Sequence, residues 1–242
     1  MRTLALGFLA LALSSVGASA GAPDPPMRPV PATAQDSLRK AIRDVIALVP
    51  DPGAPYVLHP EESRSEVQGS APFSRAGKRW TRPARASAER YYDVPNDAPG
   101  ASPELREFLT PVEVTAELNG ELRFVDLASE GGPPTLFPLA NAAAVEIAAI
   151  VPGAVQGRSA AMTPEQSEYR LTALTIVLGD ALTERAVRRA VRTGSAPSAP
   201  PSETASAAEI RRISILLHGP KKYVEGVARK LPVQALRRFL HR

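Results

Sequence analysis

The sequence predicts an α+β fold: a small antiparallel sheet around a central hairpin, packed by helices and followed by a basic helical C-terminal segment. Three observations predict it. Val112, Val114, Ala116 and Leu118 alternate with polar residues up to Asn119-Gly120, and alternation resumes over residues 122–127. An Asn-Gly pair between two alternating runs marks a two-residue hairpin, because both turn positions need positive φ. Elsewhere apolar residues recur at helical spacing, as in Leu38, Ile42, Val45, Ile46 and Val49. Charge, finally, divides the chain. Residues 21–184 carry 15 Lys plus Arg against 22 Asp plus Glu, a net of −7, whereas residues 185–242 carry 13 against 3, a net of +10. The formal net charge of +4 conceals this asymmetry.

Taken in order, the first 20 residues read as a secretory signal peptide. Arg2 is the positive start, residues 4–13 are apolar, and Ala18-Ser19-Ala20 is a small-x-small cleavage site. An apolar run of about 20 residues would be needed to span a bilayer, so this one predicts cleavage rather than an anchor. Export is expected, to a periplasm or beyond the cell. Residues 21–35, with five prolines, read as an extended linker. An α+β domain is expected over 36–193. It opens with a helix capped by Asp36 and ended by Pro50-Asp51-Pro52-Gly53. Short strands are expected at residues 56–58, 78–81 and 90–94, and a short helix from Ser102-Pro103-Glu104 to Phe108. After the hairpin, the alanine-rich residues 139–151 read as a helix stopped by Pro152-Gly153.

Thr163-Pro164-Glu165-Gln166 is a helix start with a capping box. Residues 169–178 are rich in β-formers, yet Leu171, Leu174, Leu178 and Leu182 also share a helical face. Gly179-Asp180 could end a strand and cap a second helix. One long or kinked helix to Thr193, with Gly194 as C-cap, is the favoured reading. Residues 194–208 read as a Ser/Ala/Pro linker, and 209–242 as three short amphipathic helices punctuated by Gly219-Pro220 and Pro232.

The basic tail offers the main candidate site. Arg185, Arg188, Arg189, Arg192, Arg211 and Arg212, with Lys221, Lys222, Arg237 and Arg238, would attract a polyanion. After export the available polyanions are a membrane surface, a cell-wall polymer or an acidic protein. The same cations could instead solvate packed helices, or dock on the acidic part of their own chain. Nucleic acid is not expected as a partner, given the signal peptide. A second basic cluster surrounds the only tryptophan, Trp80, with Arg79 and Arg82 beside it. Arginine next to an aromatic ring can hold an acidic ligand by stacking; the alternative is a tryptophan tucked into the core.

Catalytic signatures are weak, so a non-enzymatic role is expected. With no cysteine there is no disulfide, thiolate nucleophile or Cys-bound metal. His59, His218 and His241 are too far apart to suggest a metal site, and no cofactor is implied. Asp126 is the one carboxylate placed as a catalytic candidate. The order strand, Asn119-Gly120, strand, Asp126, then Ile176-Val177-Leu178-Gly179 resembles the retroviral-type aspartic proteases. That resemblance implies a dimer whose two Asp126 side chains share a proton. Leu127 and Ala128, however, stand where the family has a hydroxyl residue and glycine. Tyr223, Ala235-Leu236 and Phe239-Leu240 also resemble the closing helix of peptidoglycan-binding outer-membrane domains, without that family's gripping Asp and Arg.

Overall fold

In a computed structural model, the chain is described over residues 26–98, 106, 108–122, 132–148, 167–195 and 203–241. Ten strands and four helices follow in order among the described residues. They are β1 (Met27–Pro29), α1 (Ala32–Ala47), β2 (Val57–Val67), β3 (Ser70–Ser74), β4 (Arg79–Trp80), β5 (Ala86–Asp93), β6 (Val112–Leu118), β7 (Thr135–Phe137), β8 (Ala143–Ala148), β9 (Leu171–Leu178), α2 (Ala181–Thr193), β10 (Ile213–Pro220), α3 (Lys221–Lys230) and α4 (Val233–Arg237). β1, β3 and β4 form a small sheet. The other seven form one antiparallel sheet in the order β2-β5-β6-β10-β9-β8-β7.

This corrects the expected small sheet packed by helices: the sheet dominates, and three segments read as helical are strands. The physical reason is the same each time. β8 and β9 lie between helices on both faces of the sheet, and β10, with one face in the larger core, still carries Leu216 and buried Ser214 on the other, so the period-2 signal fades. In β9, Leu174, Ile176 and Leu178 join the larger core, while Val177 joins Val187 of α2 in a second core on the opposite face. The alanines of β8 have high helix propensity, but burial under α2 overrides it. β10 places Ile213, Ile215 and Leu217 on the larger core, all fully buried, in register with Leu118, Ala116 and Val114 of β6. Gly219, at φ 151, lets the end of β10 approach β6: a Cβ there would meet Val112 Cγ2 at 2.9 Å.

The larger core is closed by α1, α3 and α4, through Leu38, Ile42, Val45, Val224, Val227 and Leu236. α1 starts at Ala32, ahead of the expected cap at Asp36, because Pro31 supplies the entry φ of −55°. Residues 27–29 of the expected linker pair with β3.

The Asn119-Gly120 hairpin does not form. Both edges of β6 are occupied, by β5 and β10, so neither is left for the second strand of a hairpin. Only Asn119 has positive φ (56°); Gly120 does not, and a two-residue hairpin turn needs both. Asn119 instead ends β6 as a buried clamp. Its Nδ2 donates to the carbonyls of Ala84 and Glu209, each at 2.9 Å. Its Oδ1 accepts from Arg211 N at 2.8 Å and Arg212 N at 3.4 Å, and its own N–H donates to Arg212 O at 2.9 Å. One side chain therefore fixes the approach to β5 and the entry to β10.

Asp126, the signal peptide, the capping box at Thr163, and most of the expected short helix at 102–108 lie outside the described residues.

Candidate functional site

α2 carries the largest share of the basic candidates, and its boundaries explain their arrangement. Strand β9 ends at Leu178, just before Gly179, and Asp180 caps the helix by accepting from Thr183 N at 2.7 Å. Gly194, at φ 63, closes it. The reading with a strand, Gly179-Asp180 and a second helix is thus the one observed, in place of one long helix. Thr183, Val187 and Ala190 face β8 and β9. Arg185, Arg189 and Arg192, at i, i+4 and i+7, therefore form one outward line. Leu182, 60% exposed, begins the same line.

The hydrogen bond from Thr183 N, more than any other contact, holds the Asp180 carboxyl below its usual range. A depressed folded value means the cap stabilises above the ordinary aspartate range and loses that contribution as pH falls through the folded value. Asp180→Ala is expected to cost about 1 kcal/mol at neutral pH. Urea unfolding at about pH 7 and at successively lower pH checks this, since the difference from wild type should shrink as the Asp180 carboxyl becomes protonated.

The ten candidate cations separate by what they touch. Arg237 pairs with Glu184 of α2 and donates from Nε to Asn141 O at 2.8 Å, tying α4 to the start of α2 and to the β7–β8 connection. Arg188 donates to Ala142 O at 2.9 Å and lies 4.0 Å from Glu184. Arg211 pairs with Glu209 at 2.7 Å. Arg212 donates to Gly120 O; burial, reinforced by Arg85, lowers its pKa. Lys221 bridges Glu146 at 3.5 Å and Glu225 at 3.3 Å. Lys222 meets Glu168 at 3.5 Å and lies 5.4 Å from the Tyr169 ring, whose phenol is the main cause of its raised pKa. These six serve the fold. Arg185, Arg189, Arg192 and Arg238 are exposed and have no acidic partner among the described residues.

Trp80 is placed differently from a ligand-stacking ring. It is 6% exposed and packs edge-on to Phe73 at 5.2 Å, with the Arg28 guanidinium 6.0 Å from its centroid. Its backbone pairs with Thr204 in both directions, at 2.9 and 2.8 Å. Arg79 reaches Glu203 at 4.0 Å, and Arg82 is exposed. The stacking partner of this corner is the chain's own Arg28.

The opposite chemistry lies on the sheet. On the face that α2 shares, β2, β5, β6 and β10 bring Glu66, Ser87 and Glu117 into one cross-strand row, Arg64, Glu89 and Thr115 into the next, and His59, Tyr91, Glu113 and His218 into a third. Glu113 lies 3.7 Å from His218 Nδ1. This acidic face was missed in the sequence because two of its four glutamates belong to β2 and β5, whose extents the turn-rich stretch 54–103 hides. The alternation of Glu113 and Glu117 along β6 is the signal that could have found it.

The chain matches no protein-family model, no curated protein and no solved structure. Its function is therefore argued from these charges and surfaces. Among the described residues no group of three or more His, Asp and Glu is placed to hold a metal ion, and no helix is long and apolar enough to cross a membrane.

Proposed function

We propose that this is an exported, non-enzymatic envelope protein that engages an anionic partner through the outer face of α2. The observation that carries the reading is the division among the basic residues. Six of the ten candidates pair with internal carboxylates or tie one segment to the carbonyls of another, whereas Arg185, Arg189, Arg192 and Arg238 are exposed with no acidic partner among the described residues, Arg192 bonding to Arg188 O one turn back on its own helix. Three arginines held in line by a capped helix present a fixed row of bidentate donors, suited to phosphate or carboxylate groups on an extended surface. Exposed Leu182 adds an apolar contact at the head of the row. Export, as the sequence of residues 1–20 suggests, would place this row among membrane headgroups, cell-wall polymers and acidic envelope proteins.

Binding of residues 21–242 to anionic vesicles and to purified cell wall should fall steeply between about 50 and about 200 mM salt, as surface charges become screened. Equal binding to neutral vesicles, or binding indifferent to salt, would overturn the reading. Deleting 209–242 does not test it, because that deletion removes β10 from the middle of the sheet.

A further inference from the structure

We infer that the arginine row of α2 docks on the acidic sheet face of a second copy of this chain, reciprocally, in a two-fold dimer. The inference rests on reading α2 as a docking surface and names a partner for it. The face of the sheet that α2 shares has two halves. α2 covers β8 and β9 in one half. The other half, formed by β2, β5, β6 and β10, has no described helix on it, since α1, α3 and α4 all close the opposite face.

Among the described residues the strands of that uncovered half carry, on this face, Glu66, Glu89, Glu113 and Glu117 against one arginine, Arg64, opposite Glu89, so this half is acidic on balance. Glu66, Glu89 and Glu113 are exposed, and Glu66 and Glu89 have no ion pair among the described residues. A cavity of about 290 Å³, lined by Glu66, Gln68, Arg85, Ser87 and Glu117, opens at one end of it. With Arg85 engaged by Glu121 at 2.7 Å, Glu66 and Glu117 are left as the carboxylates at its walls, and they suit an incoming guanidinium.

The dimensions allow the fit. A two-fold axis along the strands, midway between two such faces, exchanges their halves, so each α2 comes to lie over the open half of the other copy. Four strands spaced by about 4.8 Å offer roughly 15–20 Å of width, and a helix with its side chains occupies about 10–12 Å. The 13 residues of α2 extend about 20 Å, within the reach of the 8-residue β5 at about 26 Å. The line of Arg185, Arg189 and Arg192 then faces the half of the other copy that carries Glu66, Glu89 and Glu113. The contact is self-complementary and closes at two subunits. A polar sheet face facing water needs no partner; here, however, one chain carries both complementary charges, on one side of the sheet, at matching width. Docking occupies the arginine row, so the dimer competes with an anionic surface for it.

Charge reversal tests this in sedimentation equilibrium on residues 21–242 at low salt. One variant carries Arg185→Glu and Arg189→Glu; the other carries Glu66→Lys and Glu89→Lys. All four positions are exposed, and circular dichroism verifies that each variant folds. Wild type should dimerise, and each variant alone should associate at least about tenfold more weakly, because like charges then face each other. An equimolar mixture should form a one-to-one heterodimer, since both contacts are complementary again. A wild type monomeric at about 100 μM, a dimer that survives both reversals, or a mixture that stays monomeric would each overturn the proposal. A monomer that still binds anionic vesicles through its arginines removes the dimer alone. A dimer that anionic vesicles neither bind nor dissociate leaves the dimer standing and removes the envelope reading.

Discussion

A chain truncated after Glu209 will not fold. The deletion takes β10 out of the seven-stranded sheet, leaving β6 and β9 without the strand that joins them. It also removes Ile213, Ile215, Leu217, Val224, Val227 and Leu236, all essentially inaccessible to water. At about 1.5–3 kcal/mol for each fully buried aliphatic side chain, the loss is on the order of 10 kcal/mol or more, comparable with the whole stability of a domain. The two new edges would favour aggregation. Far-UV circular dichroism and amide dispersion of the truncated chain check this; a cooperative, native-like unfolding transition would contradict it.

Asn119→Ala should destabilise the intact chain by about 3–5 kcal/mol. Four backbone groups lose a partner at once: the carbonyls of Ala84 and Glu209 and the N–H groups of Arg211 and Arg212. Leaving a buried polar group unpaired costs about 1–3 kcal/mol, and water reaches some of these groups, so the sum stays below its maximum. Alanine also fits the φ of 56° poorly. Urea unfolding measures the effect. Asn119→Asp is a second probe, because it keeps the acceptor for Arg211 and Arg212 but loses both donated bonds. It should fall between wild type and alanine.

These two predictions concern the parts of the fold that were hardest to read from sequence. α1, α3 and α4 were legible because each presents one apolar stripe to the larger core and is bounded by proline or glycine. The alternation of β6 was legible for a related reason: it has one core face and one wet face. β9 is covered on both faces, β10 carries Leu216 on the face turned away from the larger core, and Leu174, Leu178 and Leu182 match a helical face as well as a strand. Leu182 is in fact exposed on α2, beyond the strand. Asn119-Gly120 misled because asparagine adopts positive φ at a clamp as readily as at a turn. The difference lies in Ala84 and Glu209, 35 residues before it and 90 after it. The spacing of Arg185, Arg189 and Arg192 was visible in the sequence. Which cations would remain free was not, since Glu184 takes Arg237 from 53 residues away and Glu146 takes Lys221 from the far side of β9.

The most direct measurement of the central claim compares two triple variants in binding to anionic vesicles at low salt. Arg185, Arg189 and Arg192 are changed to Gln in one; Arg211, Lys222 and Arg237, all paired internally, are changed to Gln in the other. Net charge falls equally in both. At about 1 kcal/mol for each basic residue near an anionic surface, the first should lose about 100-fold in affinity, and the second much less wherever it remains folded. Equal losses in two folded variants would show that total charge, and not the outward row on α2, carries the binding, and would contradict the account.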